Sequence, residues 1–264
     1  MFPHHAQTLT RLTAAFRDDA TVLAVLLGGS IAHGYARPDS DVDISLVVSP
    51  EEFARRQAAG LLHYNNRSLC AYDGYIDGKY MDLAFLETVA ERGSDPARYA
   101  FEGNQVLFSR LPGLEEVLAR IVRFPTEEAA ARRDRFGAQL LAWRWYYSEA
   151  LRQDSAYLRF LALQKIVLFS TRLVLTHNQL LFPFHKWMLR VLASAASKPT
   201  GMLEEIQTLL APSPPRWEQV DAYCRRVLAH VGLDFAAADA VWPTLFMKDT
   251  ELRWVRESAT IDDL

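Results

Sequence analysis

Cysteine is scarce in this chain, neither sign of charge dominates, and no long apolar run occurs. Cys70 and Cys224 are the only two cysteines among 264 residues, and they have no CxxC spacing. That argues against a disulfide framework or a cysteine-built zinc site and suits a reducing cytoplasm. Lys and Arg number 29 against 32 Asp and Glu, a net charge of −3. A surface built mainly to hold nucleic acid carries a basic excess or stripe, so nucleic acid is not an expected partner. No stretch approaches the roughly 18 apolar residues of a membrane helix. The opening MFPHHAQTLTRL lacks the charged-then-apolar order of a signal peptide. The expectation is a cytoplasmic protein with no membrane association.

Half of the residues are hydrophobic and 23% are charged, the balance of an ordinary globular chain long enough for one or two domains. The first 110 residues mix helix and strand signals. Apolar residues at helical spacing (Leu9, Leu12, Ala15, Phe16) predict a helix over 6–18. VLAVLLGG, 22–29, reads as a buried strand ended by glycines, and 30–35 as a short helix. DVDISLVV, 41–48, is a second buried strand, followed by a helix with Ser49 as cap and Pro50 at its first position. SLCAYDGYIDGKYMDLAFLE, 68–87, predicts two strands turning at Asp77-Gly78, and NQVLFSR, 104–110, a further strand. From Thr126 onward the pattern is helical: about 126–150, 154–178, 183–197, 201–210, 216–230 and 235–252, punctuated by prolines. The final SATIDDL reads as a frayed tail. The expected fold class is α+β. Residues 1–115 form a domain with a mixed sheet flanked by helices, and residues 116–264 a helical bundle.

The chemistry concentrates in GGSIAHGYARPDSDVDISLVV, 28–48. Asp41 and Asp43 stand two apart on a strand, so both carboxylates leave one face. Like charges so placed destabilise a fold unless something cationic joins them. Two carboxylates can hold Mg²⁺, whose remaining ligands are water and phosphate oxygens. Gly28-Gly29-Ser30 lets backbone approach a ligand closely and turns N–H groups toward an anion. Asp82, amid apolar Met81, Leu83 and Phe85, reads as a third carboxylate on a buried strand, a metal ligand or a general base.

Gly29-Ser30, three residues, Gly34, five residues, then Ser40-Asp41-Val42-Asp43 resembles the signature of the DNA polymerase β-like nucleotidyltransferase superfamily, with Asp82 matching its later carboxylate. The pairing with a helical C-terminal half is similar to the aminoglycoside nucleotidyltransferases. The detailed likeness covers 22–87. It implies Mg²⁺-dependent transfer of a nucleoside monophosphate, AMP from ATP foremost, to a hydroxyl of a small-molecule acceptor such as an aminoglycoside antibiotic, with release of pyrophosphate. Asp41, Asp43 and Asp82 would be the metal-binding and catalytic residues. Gly29, Ser30 and Ser40 would face the nucleotide, Ser40 also serving to cap the turn or orient Asp41. Lys186, in PFHKWMLRVL, would reach the triphosphate from a helix or else snorkel on its surface. The helical half would bind the acceptor, with Glu87, Glu102 and Glu149 as candidate acidic groups for a cationic substrate. A homodimer is compatible with the sequence.

Other features carry less. Tyr146 and Tyr147 read as core, with base stacking as the alternative. His4, His5 and His33 fit no metal spacing and read as solvated surface. Arg172 and His177 carry the Arg-x4-His spacing of HEPN ribonuclease domains, but Leu173 departs from that pattern. A regulatory or protein-modifying role of the toxin–antitoxin type is the alternative to a small-molecule enzyme.

Overall fold

The computed structural model describes residues 1–255; the SATIDDL segment lies outside them. The chain divides into two compact units, Met1–Arg123 and Phe124 onward.

In the first unit the elements run α1 (Pro3–Arg17), β1 (Val22–Leu27), α2 (Gly29–Ala32), β2 (Val42–Val48), α3 (Pro50–Ala58), β3 (His63–Asn66), β4 (Ile76–Met81), α4 (Leu83–Arg92), α5 (Asp95–Tyr99), β5 (Gln105–Ser109) and α6 (Leu114–Ile121). The five strands form one sheet in the order β3-β4-β2-β1-β5. Only β2 and β4 run parallel; the other pairs are antiparallel. The expected α+β class with a mixed sheet is what the chain adopts. Ser49 caps α3 as expected, its hydroxyl accepting from the Glu52 N–H at 3.3 Å.

Alternation along the strands builds two cores, one on each sheet face. Val25 and Leu27 of β1 and Val42, Ile44, Leu46 and Val48 of β2 pack with Leu9, Leu12 and Phe16 of α1. Ala24, Leu26 and Val47 leave the other face and pack with Leu86 of α4 and with Val117 and Ile121 of α6. That packing explains the extent of the unit. The expected boundary at 115/116 falls inside α6, whose apolar face is buried against α4, so the unit continues through Arg123. Arg98 of α5, 7% exposed, ties these helices together. Its guanidinium donates to Ala90 O (3.0 Å) and Gly93 O (2.9 Å) at the end of α4, and to Ile121 O (3.2 Å) at the end of α6.

One expectation fails here. Residues 68–87 are not a hairpin turning at Asp77-Gly78. β4 runs straight through that dipeptide, its antiparallel partner is β3 upstream, and 83–92 is helix.

The second unit holds α7 (Ala129–Arg152), α8 (Ala156–His177), α9 (Met188–Ser194), α10 (Met202–Leu209), α11 (Trp217–His230) and α12 (Phe235–Asp249), with short 3-10 turns at Thr126–Glu128 and Glu251–Val255. α7 packs along α8, α11 and α12. Tyr147 is buried and its hydroxyl donates to Pro215 O at 2.6 Å, a core role. Tyr146 lies among the rings of Trp143, Trp145 and Phe246. The helix expected from 183 begins only at Met188, because Phe184 takes φ 63° after Pro183 and breaks the helical path. α12 passes through Pro243. Among the described residues no helix is long and apolar enough to cross a membrane.

Candidate active site

β1 ends against the start of β2. Gly28 N–H donates to the Asp43 carbonyl at 2.9 Å, which extends the β1–β2 ladder by one bond. Gly29 then turns with φ 61°, a conformation that costs an L side chain about 1–2 kcal/mol. Space forbids a side chain there as well. A Cβ on Gly29 would lie 1.7 Å from Asp43 Oδ2, so the carboxylate is seated directly on the glycine. Ser30 follows, its hydroxyl buried and without a hydrogen-bond partner. Asn104, just ahead of β5, lies against Gly28, where a Cβ would meet Asn104 Oδ1 at 3.1 Å. That oxygen is also buried and unpartnered. Two orphaned polar atoms beside one turn mark a place where hydrogen-bonding capacity is left for something else.

The register of the parallel pair decides which carboxylate joins Asp43. Asp43 stands opposite Asp77, and Val47 opposite Met81. Asp43 and Asp77 therefore leave the same face side by side. Asp41, two residues before Asp43, precedes β2. The Tyr75 phenol is raised above its usual pKa, first by the neighbouring Asp41 carboxylate and further by the charges of Asp77 and Asp43. One hydroxyl thus feels all three carboxylates. The Tyr72 phenol is pushed up to about 12, first by burial and then by charges that include Asp41 and Asp43. On the open side of Asp77, His63 Nε2 is 2.5 Å from Oδ1.

Asp82 does not join them. It lies five residues beyond Asp77, about 16 Å away at strand rise, and it is not on a strand. It is the N-cap of α4, Oδ1 accepting from Phe85 N–H at 2.8 Å. Its burial, 8% exposed, comes from capping a helix whose apolar face is in the core. The carboxylate in register with Asp43 is Asp77, hidden in the sequence because Asp-Gly reads as a turn.

Ser40 has a structural role: its hydroxyl accepts from Arg37 N–H at 2.9 Å and closes the turn before Asp41. Lys186 is not on a helix. It lies exposed in the turn before α9, its ammonium 5.5 Å from the Trp187 ring centroid. Of the acidic candidates, Glu87 pairs with Arg120 at 2.5 Å and Glu149 with Arg152. Glu102 is half-buried, and burial raises its pKa. Of the three histidines expected at the surface, His4 and His33 are partly exposed and His5 is buried. His5 has no exposed surface, and His33 is stacked between Tyr35 and Tyr99 at 5.5 and 4.8 Å. Arg172 lies over the rings of Phe136 and Phe182, 4.2 and 4.9 Å from their centroids. His177, five residues on and about 140° around the helix, meets His230 instead.

The donor set can be tested against a divalent cation. Among the described residues no three His, Cys, Asp or Glu side chains converge tightly enough to hold an ion alone. Mg²⁺ rarely asks for that, being held by one or two carboxylates with substrate phosphates completing its shell. Asp41 and Asp43, all-oxygen donors beside an anion-receptive turn, fit that pattern.

Residues 9–102 match the family model of the nucleotidyltransferase domain. The matched segment runs from within α1 to the loop before β5 and contains the Gly28–Ser30 turn together with Asp41, Asp43, Asp77 and Asp82. The match supports a transferase, and nucleotidyl transfer as its general activity. Among solved structures, a nucleotidyltransferase-like protein from Exiguobacterium sibiricum 255-15 is similar at 10% identity and a TM-score of 0.49, over 98% of this chain and 83% of that one. No curated protein matches the chain.

Proposed function

We propose that this chain transfers a nucleoside monophosphate from a Mg²⁺-bound nucleoside triphosphate, ATP foremost, to a hydroxyl of a small-molecule acceptor. The single observation that carries the reading is the seat of the Asp43 carboxylate on Gly29, in register with Asp77 and next to the unpartnered Ser30 hydroxyl. Asp41 and Asp43 would hold the cation, which when bound neutralises charge on the phosphates. Gly29 and Ser30 receive the phosphate oxygens, the hydroxyl of Ser30 donating. Asp77 takes the proton of the attacking hydroxyl, and His63 steadies that carboxylate by its hydrogen bond. A bond forms between the acceptor oxygen and the α-phosphorus, the α–β bridging bond breaks, and pyrophosphate leaves.

An aminoglycoside-type acceptor, hence an antibiotic-resistance role, is the first substrate class to try. Two free cysteines suit a reducing cytoplasm, Cys224 being buried with its thiol pushed up to about 12 by that burial. The test is direct. Full-length protein with each nucleoside triphosphate, Mg²⁺ and a panel of hydroxylated acceptors should release pyrophosphate, and Asp43→Asn should lower the rate about a hundredfold or more. An unchanged rate in that variant would end the reading. Activity only toward a protein acceptor would move it to the regulatory class.

A further inference from the structure

A carbonyl with two donors stands directly before Asp41. The Ser40 carbonyl oxygen accepts from the Tyr72 hydroxyl and lies 3.2 Å from His5 Nε2. A carbonyl has no proton to offer, so His5 carries its proton on Nε2 and leaves Nδ1 bare. Nδ1 is buried without a partner, in a residue with no exposed surface. Burying a bare imidazole nitrogen is costly, and an apolar residue would fill the core as well. Something else holds a histidine there.

The surroundings show what is being held. His4 Nε2 is 2.9 Å from Pro38 O, in the turn that Ser40 closes. The rings of His4, His5 and Tyr72 pack at 4.4, 4.6 and 5.2 Å between centroids. A second loop hangs from the same helix. Thr8 Oγ1 accepts from Ala71 N–H at 3.0 Å, and Arg11 donates to Cys70 O at 3.1 Å. The loop ending at Asp41 and the loop leading to Tyr75 and Asp77 are therefore both tied to α1. β2 begins only at Val42, whose N–H donates to Tyr75 O at 3.1 Å, so the ladder holds Asp41 on its C-terminal side alone. The peptide before it must be fixed by other means.

We propose that His5 and Tyr72 are positioning residues: by gripping the Ser40 carbonyl they set the Asp41 carboxylate at the spacing from Asp43 that a divalent cation needs. They touch neither substrate nor reacting atoms and act through the Ser40–Asp41 peptide. The proposal rests on the reading of Asp41 and Asp43 as cation ligands.

The test uses Mn²⁺ as the probe, titrated into the full-length protein with a non-hydrolysable ATP analogue present and followed, against a protein-free control, by electron paramagnetic resonance of the free ion. Tyr72→Phe and His5→Leu should each weaken Mn²⁺ binding roughly three- to tenfold and raise the Mg²⁺ needed for half-maximal pyrophosphate release. His5→Gln places an amide N–H near the position of Nε2 and should recover most of the affinity. Unchanged Mn²⁺ binding in the folded variants would overturn the proposal, as would a His5→Gln protein no better than His5→Leu. Should His5→Leu fail to fold, Tyr72→Phe, which removes one oxygen, decides alone. The two readings separate cleanly. Weakened Mn²⁺ binding with no pyrophosphate released by the unaltered protein sinks the transfer reaction and leaves the positioning role standing. Pyrophosphate release with Mn²⁺ binding indifferent to both residues does the reverse, and no Mn²⁺ binding at all by the unaltered protein overturns the positioning role.

Discussion

A methyl group on Gly29 has nowhere to go, because Asp43 Oδ2 occupies its place. Gly29→Ala should therefore displace the carboxylate and abolish transfer while costing about 1–2 kcal/mol of stability from the positive φ; pyrophosphate release and thermal melting read the two effects apart. Asp77 and Asp82 make a sharper pair. Asp77→Asn should remove activity and leave the fold, whereas Asp82→Ala should cost about 1 kcal/mol by losing the cap of α4 and keep the activity. The opposite result would restore Asp82 to the site. The sequence points to the wrong one of the two, since Asp82 stands among apolar neighbours whereas Asp77 precedes a glycine and reads as part of a turn. Burial alone does not separate a ligand from a helix cap; hydrogen-bond partners do. Asp41, Asp43, Gly29 and Ser30 were legible because they form a spaced pattern, while His5 and Tyr72 act through a main-chain carbonyl and leave no pattern to read. His33 adds a pH dependence. Burial holds its imidazole below the ordinary 6.5, so the unfolded chain takes up the proton first and stability is lost as pH falls below 6.5 toward the folded value. His5, lowered mainly by burial, acts with the same sign, and Glu102, raised by burial from 4.5, with the opposite one. The thermal midpoint of His33→Phe, which keeps a ring between Tyr35 and Tyr99, should thus fall less than that of the unaltered protein from about pH 7 to about pH 5.

At the scale of elements the misread segment teaches most. Asp77-Gly78 has the composition of a tight turn, yet β4 passes through it. A Cβ on Gly78 would meet Ile44 Cγ1 at 2.9 Å and Tyr64 Cβ at 3.2 Å. The glycine is there because neighbouring strands crowd it, a second reason for glycine that composition cannot tell from the first. Gly78→Ala should push β4 from β2 and cost about 1–3 kcal/mol, measurable by denaturant unfolding. β1, β2 and β5 were legible as apolar runs, and α3 from its cap and proline. β3, with the sequence His63-Tyr64-Asn65-Asn66 and no buried residue, is a strand only because β4 offers it a partner. Local sequence carries no trace of that pairing.

For the molecule as a whole, two self-contained cores predict that residues 1–123 alone will fold. They should give one cooperative thermal transition, with an intact Trp-free near-ultraviolet tyrosine signal as the check. The sheet's two faces would not be equally durable in that fragment. Arg98 closes the ends of α4 and α6 with a single cation whose N–H groups reach main-chain oxygens of both. Peeling off either helix strands a charge out of water, so neither helix should exchange its amide protons ahead of the other. That side of the sheet is expected to open in one step, as a lid riveted at one point, while the edge at β3 frays by itself.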